Sequence, residues 1–204
     1  ISPAQCVTLA ISDIPGDDLS VIASGPTEPD ETTFNDAQAI LTKYRINEPK
    51  SIMNFLGADK PETPKPDNPV FKNMRSHLIA TPQHSLEAAA RFARIRGFTP
   101  LILGDAIEGE AREVARVLAG ITKQVVRHNQ PAQKPCVLLS GGETTVTVNG
   151  SGRGGRNAEF LLSLALELNG LDGVWAFAGD TDGIDGTEDN AGALITPDSL
   201  KRAG

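Results

Sequence analysis

Glycines and arginines alternate in the stretch LLSGGETTVTVNGSGRGGRNAE, residues 138–159. Glycine lets a backbone curl until successive N–H groups point into one concavity. Two such turns, SGGETT and GRGGRN, flank one short β segment here, and the second opens a helix. A helix start contributes partial positive charge, and Arg153 and Arg156 contribute full charges. The chemistry on offer is a seat for a phosphate or a carboxylate. A flexible hairpin loop with stray basic residues is the plain alternative.

Two acidic loops offer the complementary chemistry. Asp180, Asp182, Asp185, Glu188 and Asp189 crowd the segment GDTDGIDGTEDN, residues 179–190. Its spacing fails as a calcium loop, because Ile184 and Asp185 stand where an oxygen ligand and a glycine are required. Mg²⁺ needs only one or two carboxylates beside substrate phosphates and water, and Asp180 with Asp182 could supply them. A solvated turn capped by its own side chains is the competing account. In SDIPGDD, residues 12–18, Asp13 closes an apolar strand, and Asp17 and Asp18 follow a Pro-Gly turn. Clustered carboxylates repel, which raises the pKa of one and suits it to act as general base. A turn-capping role is the alternative. Next to it SGPT offers Ser24, Gly25 and their backbone N–H groups to an anion, or forms a plain turn.

Other chemistries lack their residues. His77, His84 and His128 show no metal-ligand spacing, and Ser140 is not set in a G-x-S-x-G elbow. Neither a GxxxxGK[ST] loop nor a GxGxxG fingerprint is present.

These segments need a frame that brings strand ends together. Residues 4–12 are almost continuously apolar, as in a strand buried on both faces of a parallel sheet. Phe34, Ala37, Leu41 and Tyr44 recur at helical spacing behind Thr32 or Thr33 as N-cap, and a short helix is expected over 50–56. Four prolines mark 60–69 as a linker. From there strands at 77–80, 100–103, 136–140, 144–148 and 174–178 alternate with helices. The stripes of those helices are Leu86, Ala89, Ala90 and Ala93; Ala111, Val114, Ala115 and Leu118; and Ala158, Leu161, Leu162 and Ala165. The pattern is α/β and Rossmann-like: a mainly parallel, partly mixed sheet with flanking helices. Strand 144–148 follows its predecessor too closely for a crossover, so antiparallel pairing is expected there. Ligands in such sheets bind beyond the carboxyl ends of strands. SDIPGDD, LGDAIEGE (103–110), SGGETT and the acidic loop are all expected at such ends.

Composition bounds the function. A net charge of −7 over 204 residues opposes general nucleic-acid binding, and no apolar run approaches a membrane span. Two isolated cysteines, Cys6 and Cys136, fit a reducing compartment such as the cytoplasm. A start without Met or signal sequence suggests a fragment of something longer.

Taken together, ISDIPGDDLSVIASGPT, LILGDAIEGEAREVA, LLSGGETTVTVNGSGRGGRNAEF and DTDGIDGTEDNAGA resemble the type-2 glycerate kinases. These proteins contain a MOFRL domain and often carry the label hydroxypyruvate reductase. The resemblance runs in order along nearly the whole chain. It implies a two-domain α/β protein, with 1–68 the tail of the first domain and 69–204 most of the second, and ATP-dependent phosphorylation of D-glycerate to 2-phosphoglycerate with Mg²⁺. The partners it implies are nucleotide and a small hydroxy acid, with no nucleic acid or membrane and with a homo-oligomer left open. It places Asp13, Asp17 and Asp18 as base and cation-organising carboxylates. Ser140, Gly141, Gly142, Glu143 and Thr144 match one family turn, and Arg153, Gly154, Gly155, Arg156 and Asn157 the other, for substrate carboxylate or phosphate. Asp180, Asp182 and Asp185 match its metal stretch. The larger part of the family's N-terminal domain has no counterpart here, so the piece alone is expected to be inactive. The rivals are an NAD(P)H-dependent hydroxypyruvate reductase and a non-catalytic hydroxy-acid-binding protein.

Overall fold

The computed structural model describes residues 3–58, 60–187 and 189–204; Asp59 and Glu188, the latter counted above among the acidic residues, lie outside them. The chain forms two compact units, one from residues up to Ser12 with Asp17–Ala80, the other from Asp13–Gly16 with Thr81–Gly204. The division falls after residue 80 rather than at the expected 68–69. The reason is that Met74–Ala80 is a strand paired with the first strand of the chain.

In the first unit, β1 (Cys6–Ile11) runs parallel to β2 (Met74–Ala80), with a register shift between Ala10 and Ile11. Burial on both faces was expected of β1, yet burial alternates along it. Val7, Leu9 and Ile11 are each more than 60% exposed. Its ladder has two strands, and one of its two faces is left to solvent. Helix α1 (Phe34–Lys43) starts as expected. Thr33 accepts from the Asp36 N–H, and the Asp36 carboxylate accepts from the Thr33 N–H, a closed capping box. Helix α2 (Lys50–Leu56) packs on it through an edge-on contact of Phe34 and Phe55, and Gln38 Nε2 donates to the Leu56 carbonyl at 2.7 Å. The Thr32 hydroxyl donates to Asp30, and so does Thr63 from the expected linker. These bonds bring the Asp30 carboxyl down to about 2.

The second unit carries the longer elements. Helix α3 (Pro82–Ile95) begins at Thr81, whose hydroxyl accepts from the His84 N–H, with Pro82 in the first position. It buries Leu86, Ala90 and Ala93 and leaves Ala89 exposed. Strands β3 (Thr99–Glu110) and β4 (Cys136–Thr145) pair in parallel over their length, joined by α4 (Ala111–His128). Helix α5 (Arg156–Leu168) packs on α4, and Ala115, Ala119, Leu161, Leu164 and Leu168 form the core between them. Strands β5 (Ala176–Gly179) and β6 (Gly192–Ile195) form an antiparallel pair beside α5, before α6 (Ser199–Ala203).

Two expectations change here. LGDAIEGE and SGGETT are not turns beyond strand ends: they are the second halves of β3 and β4. Their glycines serve register shifts within the parallel ladder, at Ile102/Gly104 and Gly104/Ile107. Gly142 shows why glycine is needed. Its φ is 140°, and a Cβ there would lie 2.2 Å from both the N and the O of Ile107. Residues 144–148 therefore form no separate strand, and the antiparallel pair is β5–β6 instead. The second change concerns Leu162, expected in the buried stripe of α5. It is 56% exposed, while Leu164 and Leu168 take the inner face.

Candidate active-site groove

The first turn of α5 gathers the charged residues of the second unit. Gly155 precedes the helix and has no side chain to cap it. The orphan N–H groups instead meet Asp185, which arrives from the acidic loop. Its Oδ1 accepts from the Asn157 N–H at 2.9 Å and from Asn157 Nδ2 at 3.2 Å, and its Oδ2 accepts from the Ala158 N–H at 2.8 Å. Asp185 is wholly buried. Gly155 lies so close that a Cβ would sit 2.4 Å from Asp185 Oδ1. The helix start is thus an anion seat, as the sequence suggested, but the chain's own carboxylate fills it. Asp185 and Asn157 are spent on each other rather than turned to a metal or a substrate.

Arg156, the first residue of α5, lies between two carboxylates. Its Nε and Nη2 donate to Asp180 Oδ2 at 3.0 and 2.8 Å, and its Nη1 donates to Glu143 Oε1. Glu143 comes from the end of β4, and Asp180 follows β5 directly. The hydrogen bonds to Asp180, more than those to Glu143, raise the pKa of the guanidinium above its usual range. The cluster carries two negative charges and one positive, with the cation fixed in position before any ligand arrives.

Beside the cluster is a groove of about 900 Å³, lined by Thr144, Arg153, Gly154, Gly155, Arg156, Asp180 and Asp182 among others. Seven of the residues expected at a site thus share one surface. Ser140, Gly141 and Gly142 do not line it, being held in the β3–β4 ladder. Asp182 Oδ1 accepts from the Ile184 N–H at 2.9 Å, the turn-capping contact weighed as its alternative. Among the described residues no group of three or more His, Cys, Asp or Glu side chains is placed to hold a metal ion. The three-carboxylate set Asp180, Asp182 and Asp185 is therefore not assembled. Asp180 and Asp182 both line the groove, and Mg²⁺ that takes its remaining ligands from phosphate and water needs only one or two carboxylates.

The candidates nearer the start of the chain behave differently from one another. Asp18 accepts from the Ser20 N–H at 2.8 Å and from its hydroxyl at 2.7 Å. The hydroxyl bond, then the N–H bond, lowers its pKa. The raised proton affinity expected of this carboxylate cluster is thus not a property of Asp18. Asp17 has a left-handed φ of 56°, and its Oδ1 is buried without a hydrogen-bond partner. Asp13 is exposed. The N–H groups of Ser24 and Gly25 donate to the carbonyls of Val21 and Ile22, so the SGPT segment uses these donors in its own turn.

Among the groove residues that sequence reading missed are Arg112, Val148, Glu159 and Leu162. Leu162 was hidden by its fit to the helical stripe. Arg112 carried a signal: a cation in the first turn of α4, where the helix dipole favours acids.

The MOFRL family model matches residues 136–204, and the model described as a domain of unknown function (DUF4147) matches residues 1–57. A protein of Agrobacterium vitis that carries a hydroxypyruvate reductase name is 56% identical over 98% of this chain and 45% of its own length. D-glycerate 2-kinase of Thermotoga maritima is 41% identical over 98% of this chain and 46% of its own. The crystal structure of glycerate kinase from the same organism superposes with a TM-score of 0.81, covering 98% of this chain and 47% of that one. The chain spans about half the length of these relatives. Among the described residues no helix is long and apolar enough to cross a membrane. In motif order, fold and identity, the chain is similar to proteins named glycerate 2-kinase, and residues 136–204 match the MOFRL family.

Proposed function

We propose that this chain is part of an ATP-dependent D-glycerate 2-kinase and supplies charge neutralisation for the transferred phosphoryl group. The observation that carries the reading is Arg156, held by Asp180 and Glu143 at the glycine-lined wall of the groove. Phosphoryl transfer needs positioning and compensation of charge more than covalent help, and a guanidinium fixed in advance provides both. The relative named D-glycerate 2-kinase, 41% identical along nearly the whole chain, supports the substrate assignment.

In this reading the C2 hydroxyl oxygen of glycerate forms a bond to the γ-phosphorus of ATP as the bond to the ADP oxygen breaks. Arg153 and Arg156 offset the charge on the phosphoryl oxygens. Asp180 and Asp182 would hold Mg²⁺, which supplies Lewis-acid neutralisation at the phosphates. A carboxylate must take the hydroxyl proton. The family resemblance offers Asp13, Asp17 and Asp18 for that role. Asp18 is less suited, because its hydrogen bonds to Ser20 lower its proton affinity.

The test is ADP release by the full-length protein. Release should require D-glycerate and a divalent cation together, and a chelator should abolish it. Nicotinamide-dependent reduction of hydroxypyruvate without glycerate-dependent ADP release would overturn the reading in favour of a reductase. Glycerate binding with turnover of neither kind would favour a binding protein.

A further inference from the structure

Asp180 and Asp185 belong to one loop, and both act on the first turn of α5. Asp180 holds the Arg156 side chain, accepting from Nε and Nη2 at 3.0 and 2.8 Å. Asp185 holds the backbone just beyond it, accepting from the N–H groups of Asn157 and Ala158 at 2.9 and 2.8 Å. The loop is braced between its two carboxylates. The Asp180 N–H donates to the Ala191 carbonyl at 2.6 Å, and the Asp185 N–H donates to the Asn190 carbonyl at 2.8 Å.

The residues before Arg156 meet the same loop. A Cβ on Gly155 would lie 2.4 Å from Asp185 Oδ1, and a Cβ on Gly186 would lie 2.4 Å from the Gly154 carbonyl oxygen. The two segments touch there with no intervening side chain that could yield. Arg156 is thus gripped on both sides, at 154–155 and at 157–158, and Asp185 takes part in both contacts. The grip is firm for physical reasons. The Asp185 carboxylate is wholly buried, its hydrogen bonds are charge-assisted, and the helix dipole favours an anion at that end.

A guanidinium compensates developing charge only where it is held to a fraction of an ångström. Asp180 and Glu143 fix the tip of Arg156, and the place of its backbone decides whether the tip reaches both. We propose that Asp185 is a positioning residue for phosphoryl transfer, which fixes the backbone from which Arg156 spans Asp180 and Glu143. It touches no substrate itself. The inference rests on the kinase reading for its rate measurement, and it gives Asp185 a part in the reaction that helix capping alone does not contain.

The experiment compares full-length wild type, Asp185→Asn, Arg156→Ala and the double variant. Asp185→Asn keeps one acceptor in place. Asn157→Ala, alone and with Arg156→Ala, is the gentler probe, since it removes only the side-chain bond to Asp185 at 3.2 Å. Asp185→Asn should lower kcat/KM about tenfold and Asn157→Ala about threefold, with the Mg²⁺ requirement unchanged. In the Arg156→Ala background neither should lower it further, because the residue through which they act is gone. Loss by the same factor in both backgrounds, the mark of a smaller folded fraction, would overturn the proposal.

A second measurement needs no turnover. The Arg156 Nε–H, assigned in nitrogen-15 NMR by its disappearance in Arg156→Ala, should exchange with water at least about tenfold faster in Asp185→Asn than in wild type. Unchanged exchange in the folded variant would overturn the proposal as well. A wild-type protein that releases no ADP with glycerate refutes the kinase reading, and the exchange rate then decides on Asp185 alone.

Discussion

Arg156→Ala is expected to lower kcat/KM of the full-length protein at least about a hundredfold, the usual consequence of removing one fixed charge from a transfer site. The guanidinium is held by Asp180 through two N–H bonds and by Glu143 through a third. Its loss removes a cation and leaves two carboxylates facing an anionic substrate. Lysine should not restore the rate. An ammonium lacks the planar fork that reaches Asp180 twice while also touching Glu143. Steady-state kinetics with both substrates varied will measure the effect. The fold should hold in this variant, because the start of α5 is capped by Asp185 and not by Arg156. Unchanged kinetics would remove Arg156 from the site.

The largest effect on stability is expected at Asp185. Its carboxylate is fully buried and accepts three hydrogen bonds at the start of α5. Alanine there would strand the N–H groups of Asn157 and Ala158 and the Asn157 amide. The expected loss is about 3 kcal/mol or more, from charged hydrogen bonds and a helix cap lost together. The urea midpoint should fall accordingly. Asp185→Asn should recover only part, since one of its two terminal atoms becomes a donor that faces donors. The same variants separate this role from the metal-ligand role that the motif suggested. A stable Asp185→Ala protein with a raised Mg²⁺ requirement would contradict the structural account.

The helices were legible in the sequence because their signals are local. Thr33 with Asp36, and Thr81 with Pro82, announce helix starts within four residues, and both caps form. The glycine-rich segments misled because glycine marks any unusual backbone, not turns alone. At Gly142 it marks an approach to Ile107, a residue 35 positions earlier and invisible to a local pattern. Asp185 misled for the same reason. Its partners lie 27 and 28 residues upstream, so a buried cap looked like one more carboxylate in an acidic loop. Leu162 fits a helical stripe but faces the groove, because the inner face of α5 is set by Leu161, Leu164 and Leu168 packing on α4. What the sequence did place was the acidic loop, which follows the end of β5, where an α/β unit puts its ligand site.

The most direct test of the central claim is the identity of the product. Full-length protein incubated with ATP, Mg²⁺ and D-glycerate should yield 2-phosphoglycerate by phosphorus NMR, with Arg156→Ala producing it far more slowly. A phosphate on the C3 oxygen, or no phosphorylated glycerate from an active wild-type sample that reduces hydroxypyruvate, would contradict it.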